Sequence, residues 1–265
     1  MDLGLSGKKA IVTGGSSGIG KEIARTLAVE GMDVVIVARG RARLEAAAKE
    51  LSADTGRKII PLSADVSSTE QVNAMVQQAA AALGQIDVLV NSGAAAGVAA
   101  GKLSDVVDEG LMGDLNTKVL GYLRSIRAVA PHMQRQHWGR IINIGGLAAR
   151  QGGSYSTGMR NIAVVHMAKT LSQELGPHGI TVNVVHPGAT KGTPNWDTMV
   201  EARRKGNSRS TLEVETEISE AMPIRRPPDV QDVAYLVAFL ASPKAGAITG
   251  EAISTGGGSG PGVIL

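Results

Sequence analysis

Thr13-Gly14-Gly15-Ser16-Ser17-Gly18-Ile19-Gly20 is the first stretch of this chain able to do chemistry. It lies where the apolar run Lys9 to Thr13 gives way to the helical pattern Ile19 to Glu30. Gly14 permits a tight turn, Gly18 lets the backbone approach a pyrophosphate, and Gly20 lets a helix pack close to a strand. Exposed N–H groups and the helix dipole then face phosphate oxygens. A second cluster stands at the end of the next apolar run: Ala38, Arg39, and nearby Arg41 and Arg43. A carboxylate in place of Ala38 would accept hydrogen bonds from a ribose 2′-hydroxyl and repel a 2′-phosphate. A guanidinium does the reverse, pairing with phosphate and stacking on adenine, and Ser17 adds a hydroxyl. The pattern points to NADP(H). The other reading, a solvated basic helix start, runs against the preference of first helical turns for acids.

Elements that can position such a turn follow in regular alternation. Strands are predicted at Lys9 to Thr13, Asp33 to Ala38, Lys58 to Leu62, Ile86 to Val90, Arg140 to Ile144, Ile180 to Val185 and Ala252 to Ser254. Helices are predicted at Ile19 to Glu30, Arg41 to Ala53, Thr69 to Leu83, Leu103 to His137 as one long region, Tyr155 to Leu175 and Val230 to Leu240. This alternation builds right-handed βαβ units, hence an α/β Rossmann-type doubly wound parallel sheet with helices on both faces, in a single domain over residues 1–265. The polar segment 191–228 breaks the rhythm. It reads either as an insertion over the carboxyl edge of the sheet, covering the substrate and cofactor site, or as a surface loop.

Composition narrows the class. The chain has 265 residues, 43% hydrophobic and only 2% aromatic, which suits helices packed on a Val/Ile/Leu sheet. It contains no cysteine, so disulfides and thiolate catalysis are excluded and a reducing compartment such as the cytoplasm fits. Its net charge of +3, without a basic run or aromatic ladder, gives no footprint for nucleic acid. No stretch approaches the ~20 apolar residues of a membrane span, the first residues do not read as a targeting segment, and the histidines show no metal-ligand spacing.

The glycine turn resembles the TGxxxGxG turn of the short-chain dehydrogenase/reductase family, and the resemblance continues along nearly the whole chain. Asp65-Val66 stands where that family has its adenine-binding Asp. Asn91-Ser92-Gly93 resembles its NAG motif, and Asn116 in Asp114-Leu115-Asn116-Thr117 its helix Asn. Gly176 to Asn183, Pro187-Gly188-Ala189-Thr190 and Ile248-Thr249-Gly250-Glu251 match in order. The resemblance implies cofactor contacts from Gly14, Ser16, Ser17, Gly18, Ile19, Gly20, Arg39, Asp65, Val66, Asn91, Gly93, Asn161, Pro187, Gly188 and Thr190. It also implies acid–base chemistry by Asn, Ser, Tyr and Lys while the nicotinamide exchanges a hydride.

Aligned on Ala163 to Gly176, the family's Tyr falls at Thr157, its Lys at Asn161 and its Ser at Gly146, leaving Asn116 alone of the tetrad. Thr157 and Asn161 share a helix face at i, i+4, but neither is an acid at neutral pH. Asn161 still offers hydrogen bonds to ribose hydroxyls. Tyr155 is the candidate replacement donor, although its i+4 neighbour is Met159 and Arg160 lies about 140° around the helix. Bringing a Tyr of pKa ~10 to neutrality takes roughly 4 kcal/mol of charge stabilisation, and the usual Lys is missing.

Three functions stay open at this stage. One is an NADP(H)-dependent oxidoreductase on a small carbonyl or alcohol substrate, slow on simple ketones. Another is a catalytically silent NADP(H)-binding sensor or assembly partner. The third is a lyase on the same scaffold, as in the halohydrin dehalogenases, which lose the dinucleotide turn that this chain keeps. Small residues in the two long helices, and the way the family's corresponding helices pair, imply a homo-dimer or homo-tetramer.

Overall fold

Aliphatic and β-branched runs form a seven-stranded parallel sheet of order β3-β2-β1-β4-β5-β6-β7. The strands are β1 (Lys9–Thr13), β2 (Asp33–Ala38), β3 (Ile59–Ser63), β4 (Val88–Asn91), β5 (Gly139–Ile144), β6 (Ile180–Pro187) and β7 (Ala252–Thr255). The computed structural model describes residues 1–93, 102–207 and 209–260. Helices α1 (Gly18–Val29), α2 (Arg41–Thr55), α3 (Thr69–Leu83), α6 (Tyr155–Leu175) and α9 (Val230–Ala241) lie close to the predicted limits.

The two-residue period of the strands divides the core. Ala10, Val12, Val34 and Ile36 join Ile23, Leu27, Leu44, Leu51 and Val237 on the face of α1, α2 and α9. Ile11, Val35 and Val37 join Val72, Met75, Ile126, Val129 and Val164 on the face of α3, α5 (Gly121–Arg135) and α6. Both faces are dry, so the strands read as continuous apolar runs. Each fully buried aliphatic side chain contributes about 1.5–3 kcal/mol.

Two segments depart from expectation. The region predicted as one helix from Leu103 to His137 is broken. A short 3₁₀ turn (Leu103–Asp105) precedes α4 (Asp108–Leu115), a π-helical turn (Asn116–Leu120) and α5 (Gly121–Arg135). The stretch 191–228, open between an insertion and a loop, forms α7 (Pro194–Asn207) and α8 (Thr211–Glu220), with residue 208 outside the described residues. Trp196 and Val200 on α7 meet Val214 and Ile218 on α8, with Met222 beyond, in a small core of their own. The i, i+4 pairs carry the helices, and the surrounding charges obscured them. Ser210 and Glu213 close a capping box at the start of α8.

The phosphate-binding turn is held by contact distances. A Cβ on Gly20 would lie 2.4 Å from the Gly14 carbonyl oxygen. Gly20→Ala is therefore expected to destabilise the fold by about 1–3 kcal/mol in urea unfolding. Gly176 has helical angles (φ −53°, ψ −46°), and nothing lies within 4 Å of a Cβ built there. Gly176→Ala should gain about 0.4–1 kcal/mol. Equal midpoints for the two variants would show that the turn relaxes freely.

Candidate functional site

The order of the strands reverses between β1 and β4, and a cavity of about 1020 Å³ opens at their carboxyl ends. Thr13 ties the two strands together there: its hydroxyl oxygen accepts the N–H groups of Ser92 and Gly93, each at 3.1 Å. Gly14, at φ +70°, leaves no space for a side chain, since a Cβ would lie 2.8 Å from the Gly93 backbone. The Gly14 N–H donates to the Val37 carbonyl at 2.7 Å, which locks the turn to β2.

Beyond this turn α1 points its N-terminus at the cavity. The Ser17 side chain makes no capping bond to its own helix, and no acid stands in the first turn. Ser16, Ser17, Gly18, Ile19 and Gly20 all line the cavity. Gly18 has φ +52°, and a Cβ there would touch only Thr193 and Pro194, from 3.5 Å. Free N–H groups at a helix N-terminus, with no side chain in the way, form an anion cradle.

Along the same cavity Ala38, Arg39 and Arg43 come together with Asp65 and Val66. Arg41 does not join them, because it pairs with Glu45 at 2.8 Å on the surface. The basic group near Arg39 is thus smaller than its sequence neighbours suggested. The N–H and hydroxyl of Ser67 hold the Asp65 carboxyl below its usual range, with Arg39 and Arg124 adding to the effect. Gly93 lines the cavity, but Asn91 does not. Asn91 is fully buried, and its side-chain amide donates to Asn143 at 2.9 Å, so its side chain joins β4 to β5.

The far end gathers Pro187, Gly188, Thr190, Thr157 and Asn161. Asn161 is buried, and its Oδ1 has no hydrogen-bond partner among the described residues. A Cβ on Gly146 would lie 2.8 Å from the Asn161 Nδ2. The two positions are therefore packed against each other as Gly and Asn. Next to them the His186 Nδ1 accepts the Gly146 N–H at 2.9 Å. Burial pushes this imidazole down to about 4, with Arg150 and Lys118 contributing.

Two expected catalytic positions move. Asn116 is turned away from the cavity, and its Oδ1 accepts from the Arg124 guanidinium at 2.8 Å. Tyr155 is the first residue of α6, is 43% exposed and lies outside the cavity lining. Helix α6 starts there because Ser154 caps it by accepting the Thr157 N–H, and that start places Thr157, not Tyr155, on the inner face.

Lys118 occupies the inner face in their stead, and sequence reasoning missed it. It lies in the π-helical turn and is 4% exposed. Its Nζ donates to the Gly145 carbonyl at 3.0 Å. Asp114 and Arg160 pair at 3.5 Å nearby, and the Ser156 hydroxyl donates to Asp114. Burial pushes the Lys118 ammonium from 10.5 down to about 7, Arg160 adds to the shift, and Asp114 opposes it. The signal was present in the helical period. Lys118 stands in register with Tyr122, Ser125, Ile126, Val129 and Met133, all buried. An amine on that stripe must be buried.

The chain is similar over most of its length to known reductases. A family model described as enoyl-(acyl carrier protein) reductase matches residues 14–259. The NADPH-dependent reductase BacG of Bacillus subtilis is 33% identical over 258 residues, covering 96% of this chain and 98% of that protein. The 3-oxoacyl-(acyl-carrier-protein) reductase FabG of Staphylococcus epidermidis is 33% identical over 255 residues, covering 95% and 98%. The crystal structure of L-sorbose reductase from Gluconobacter frateurii, complexed with NADPH and L-sorbose, aligns with a TM-score of 0.91. It is 31% identical and covers 97% of this chain and 98% of that one.

The buried amine has a consequence for stability. The unfolded chain keeps the Lys118 proton up to its ordinary value of 10.5, whereas the folded chain releases it at about 7. Protons are thus lost on folding between those limits, and this residue makes the fold more stable as pH rises through them. Lys118→Met should therefore raise the unfolding free energy at pH ~6 by a few kcal/mol, and the gain should shrink toward pH ~10. Equal gains at both pH values would show that the amine is not desolvated.

Proposed function

The chain belongs to the short-chain dehydrogenase/reductase family, and on that premise we propose that it is an NADP(H)-dependent oxidoreductase for a carbonyl or alcohol substrate, with an atypical active site. The observation that carries this reading is a single cavity with an anion cradle at one end and a buried amine beside an unpartnered amide at the other. In this reading Gly14 to Gly20 take the pyrophosphate, Arg39 and Arg43 the 2′-phosphate, and Asp65 and Val66 the adenine. The open Oδ1 of Asn161 takes a ribose hydroxyl, and Pro187, Gly188 and Thr190 border the nicotinamide. When bound, NADPH supplies a hydride.

The segment 191–228 covers the substrate end in this proposal, since Trp196, Met199 and Met222 line the same cavity as Leu147 and Thr157. They give that end an apolar side. Among the described residues no helix is long and apolar enough to cross a membrane, and the absence of cysteine suits a cytoplasmic protein. We further read the chain as a homo-dimer or homo-tetramer. Met112, Leu120, Met159 and Ile162 on and beside α4 and α6 are 62%, 44%, 48% and 52% exposed, an apolar surface that a second copy would cover. Light scattering should give a multiple of the 27.3 kDa chain at micromolar concentration, and a monomer would reject the assembly.

The silent-binder reading keeps one supporting observation: Gly146, Thr157 and Asn161 hold none of the family's usual acid–base groups. A panel of carbonyl compounds, followed by NADPH absorbance, separates the two readings. We expect slow or no turnover on simple ketones and turnover on at least one bulkier, partly apolar carbonyl compound. Failure across the whole panel would favour the silent binder.

Cofactor choice gives the direct test. Calorimetry should show tighter binding of NADPH than of NADH. Charged hydrogen bonds to phosphate contribute roughly 1.5–3 kcal/mol, so Arg39→Ala should weaken NADPH about 10- to 150-fold and leave NADH nearly unchanged. Equal affinities in the wild type would overturn the assignment of the 2′-phosphate.

A further inference from the structure

The cavity needs an acid, and few groups in its wall can be one. Among the described residues the titratable side chains lining it are Arg39, Arg43, Asp65, Lys118, Tyr122, Arg160 and Arg203. Guanidinium groups do not release protons near neutrality. Asp65 stands beside Arg39 and is held ionised by Ser67. Tyr122 is fully buried, donates its hydroxyl proton to the Ile144 carbonyl at 3.1 Å, and is pushed further from acidity by burial.

We propose that Lys118 is the proton donor to the substrate carbonyl oxygen, a role that the family assigns to a residue on α6 and that Thr157 cannot fill. Three observations support it. Lys118 lines the cavity that Thr157 and Asn161 also line. Its one hydrogen bond among the described residues is to the neutral carbonyl of Gly145, so the ammonium keeps donors in hand. That carbonyl adjoins Gly146, against whose backbone the Asn161 amide packs, so Lys118 and Asn161 meet the same short loop.

The charged surroundings suit a proton that is easily released. Arg160 from α6 disfavours the cation, and Asp114 from α4 partly offsets it. His186 from β6 is held neutral, and Tyr122 from α5 is un-ionised. Desolvation then brings the ammonium to about 7. A general acid works best with a pKa near the working pH.

The step balances as a carbonyl reduction. The hydride pair becomes the new C–H bond, and the π pair of the carbonyl moves onto oxygen. That pair takes the proton from the Lys118 Nζ, and the N–H pair stays on nitrogen as a neutral amine. The alcohol leaves, and the amine regains a proton from water. In the oxidative direction the neutral amine accepts the alcohol proton.

This inference rests on the reductase reading, and its test separates the two. In protein labelled with ¹³C at the lysine ε-carbons and saturated with NADP⁺, the Lys118 resonance is assigned by its absence from Lys118→Met. Its titration midpoint should fall at or below about 8; an amine that stays charged through pH ~9.5 overturns the proposal. On the best substrate of the carbonyl panel, Lys118→Met and Lys118→Arg should each lose at least about 100-fold in kcat, with NADPH affinity within a few-fold of wild type. Lys118→Arg keeps the charge but cannot release it, so it separates proton donation from simple electrostatics. Wild-type kcat/KM for reduction should fall as pH rises through the measured midpoint. Turnover retained in Lys118→Met overturns the donor and leaves the reductase reading standing. A wild type silent on every carbonyl compound removes both.

Discussion

The carboxyl ends of β1 and β4 meet backbone to backbone, with no side chain between Gly14 and Gly93. The Thr13 hydroxyl oxygen takes both amides at the end of β4 and fixes that approach. Because the strand order reverses between these two strands, the contact decides where the crevice opens. It also aims α1: Gly20 packs onto the Gly14 carbonyl, so the first turn of the helix is aligned by the turn that precedes it. A wider approach at Gly14 would lower the amides of α1 out of line with the crevice and separate the two ends of the site.

The residues read here as standing in place of the family's usual acid–base set form a single packing arrangement. Gly145 has no room for a side chain, since a Cβ would lie 2.5 Å from the His186 Nδ1. Gly146 is blocked in the same way by Asn161. His186 in turn holds the Gly146 N–H, and Lys118 holds the Gly145 carbonyl. Positions 118, 145, 146, 161 and 186 therefore constrain one another. Restoring a serine at 146 alone would meet the Asn161 amide, and restoring a lysine at 161 would add a further cation to a wall that already holds Lys118 and Arg160. The low aromatic content and abundant glycine of the sequence find a local meaning here, where backbone takes the place of side chains.

Much of this was legible in the residue order. The limits of β1, β2, α3 and α6 fall where apolar period and capping residues put them, because each is decided within one window of sequence. The glycine turn was legible for the same reason: its chemistry and its position between strand and helix are both local. The helices α7 and α8 were hidden because their apolar residues are few and pack on each other, so neither segment is strongly periodic by itself. Asn116 was chosen from a short motif, and the π-helical turn then set the inward direction two residues later. Tyr155 was chosen for its chemistry, whereas the capping by Ser154 settled which residues of α6 turn inward. Both displacements from the cavity wall share a cause, since motif and residue type carry no information about rotation around a helix axis.

That rotation gives the π-helical turn Asn116–Leu120 a meaning beyond its side chains. Such a turn is an α-helix carrying one extra residue. Removing a residue from it would restore regular winding and rotate α4 by about 100° relative to α5. The residue presented to the cavity would change, although no residue type had been substituted, and the buried stripe of α5 would remain in place. In descent, the site is thus open to remodelling by a change in length as well as by replacement. A comparison of chains that counted only substitutions would pass over such a shift of frame along one helix.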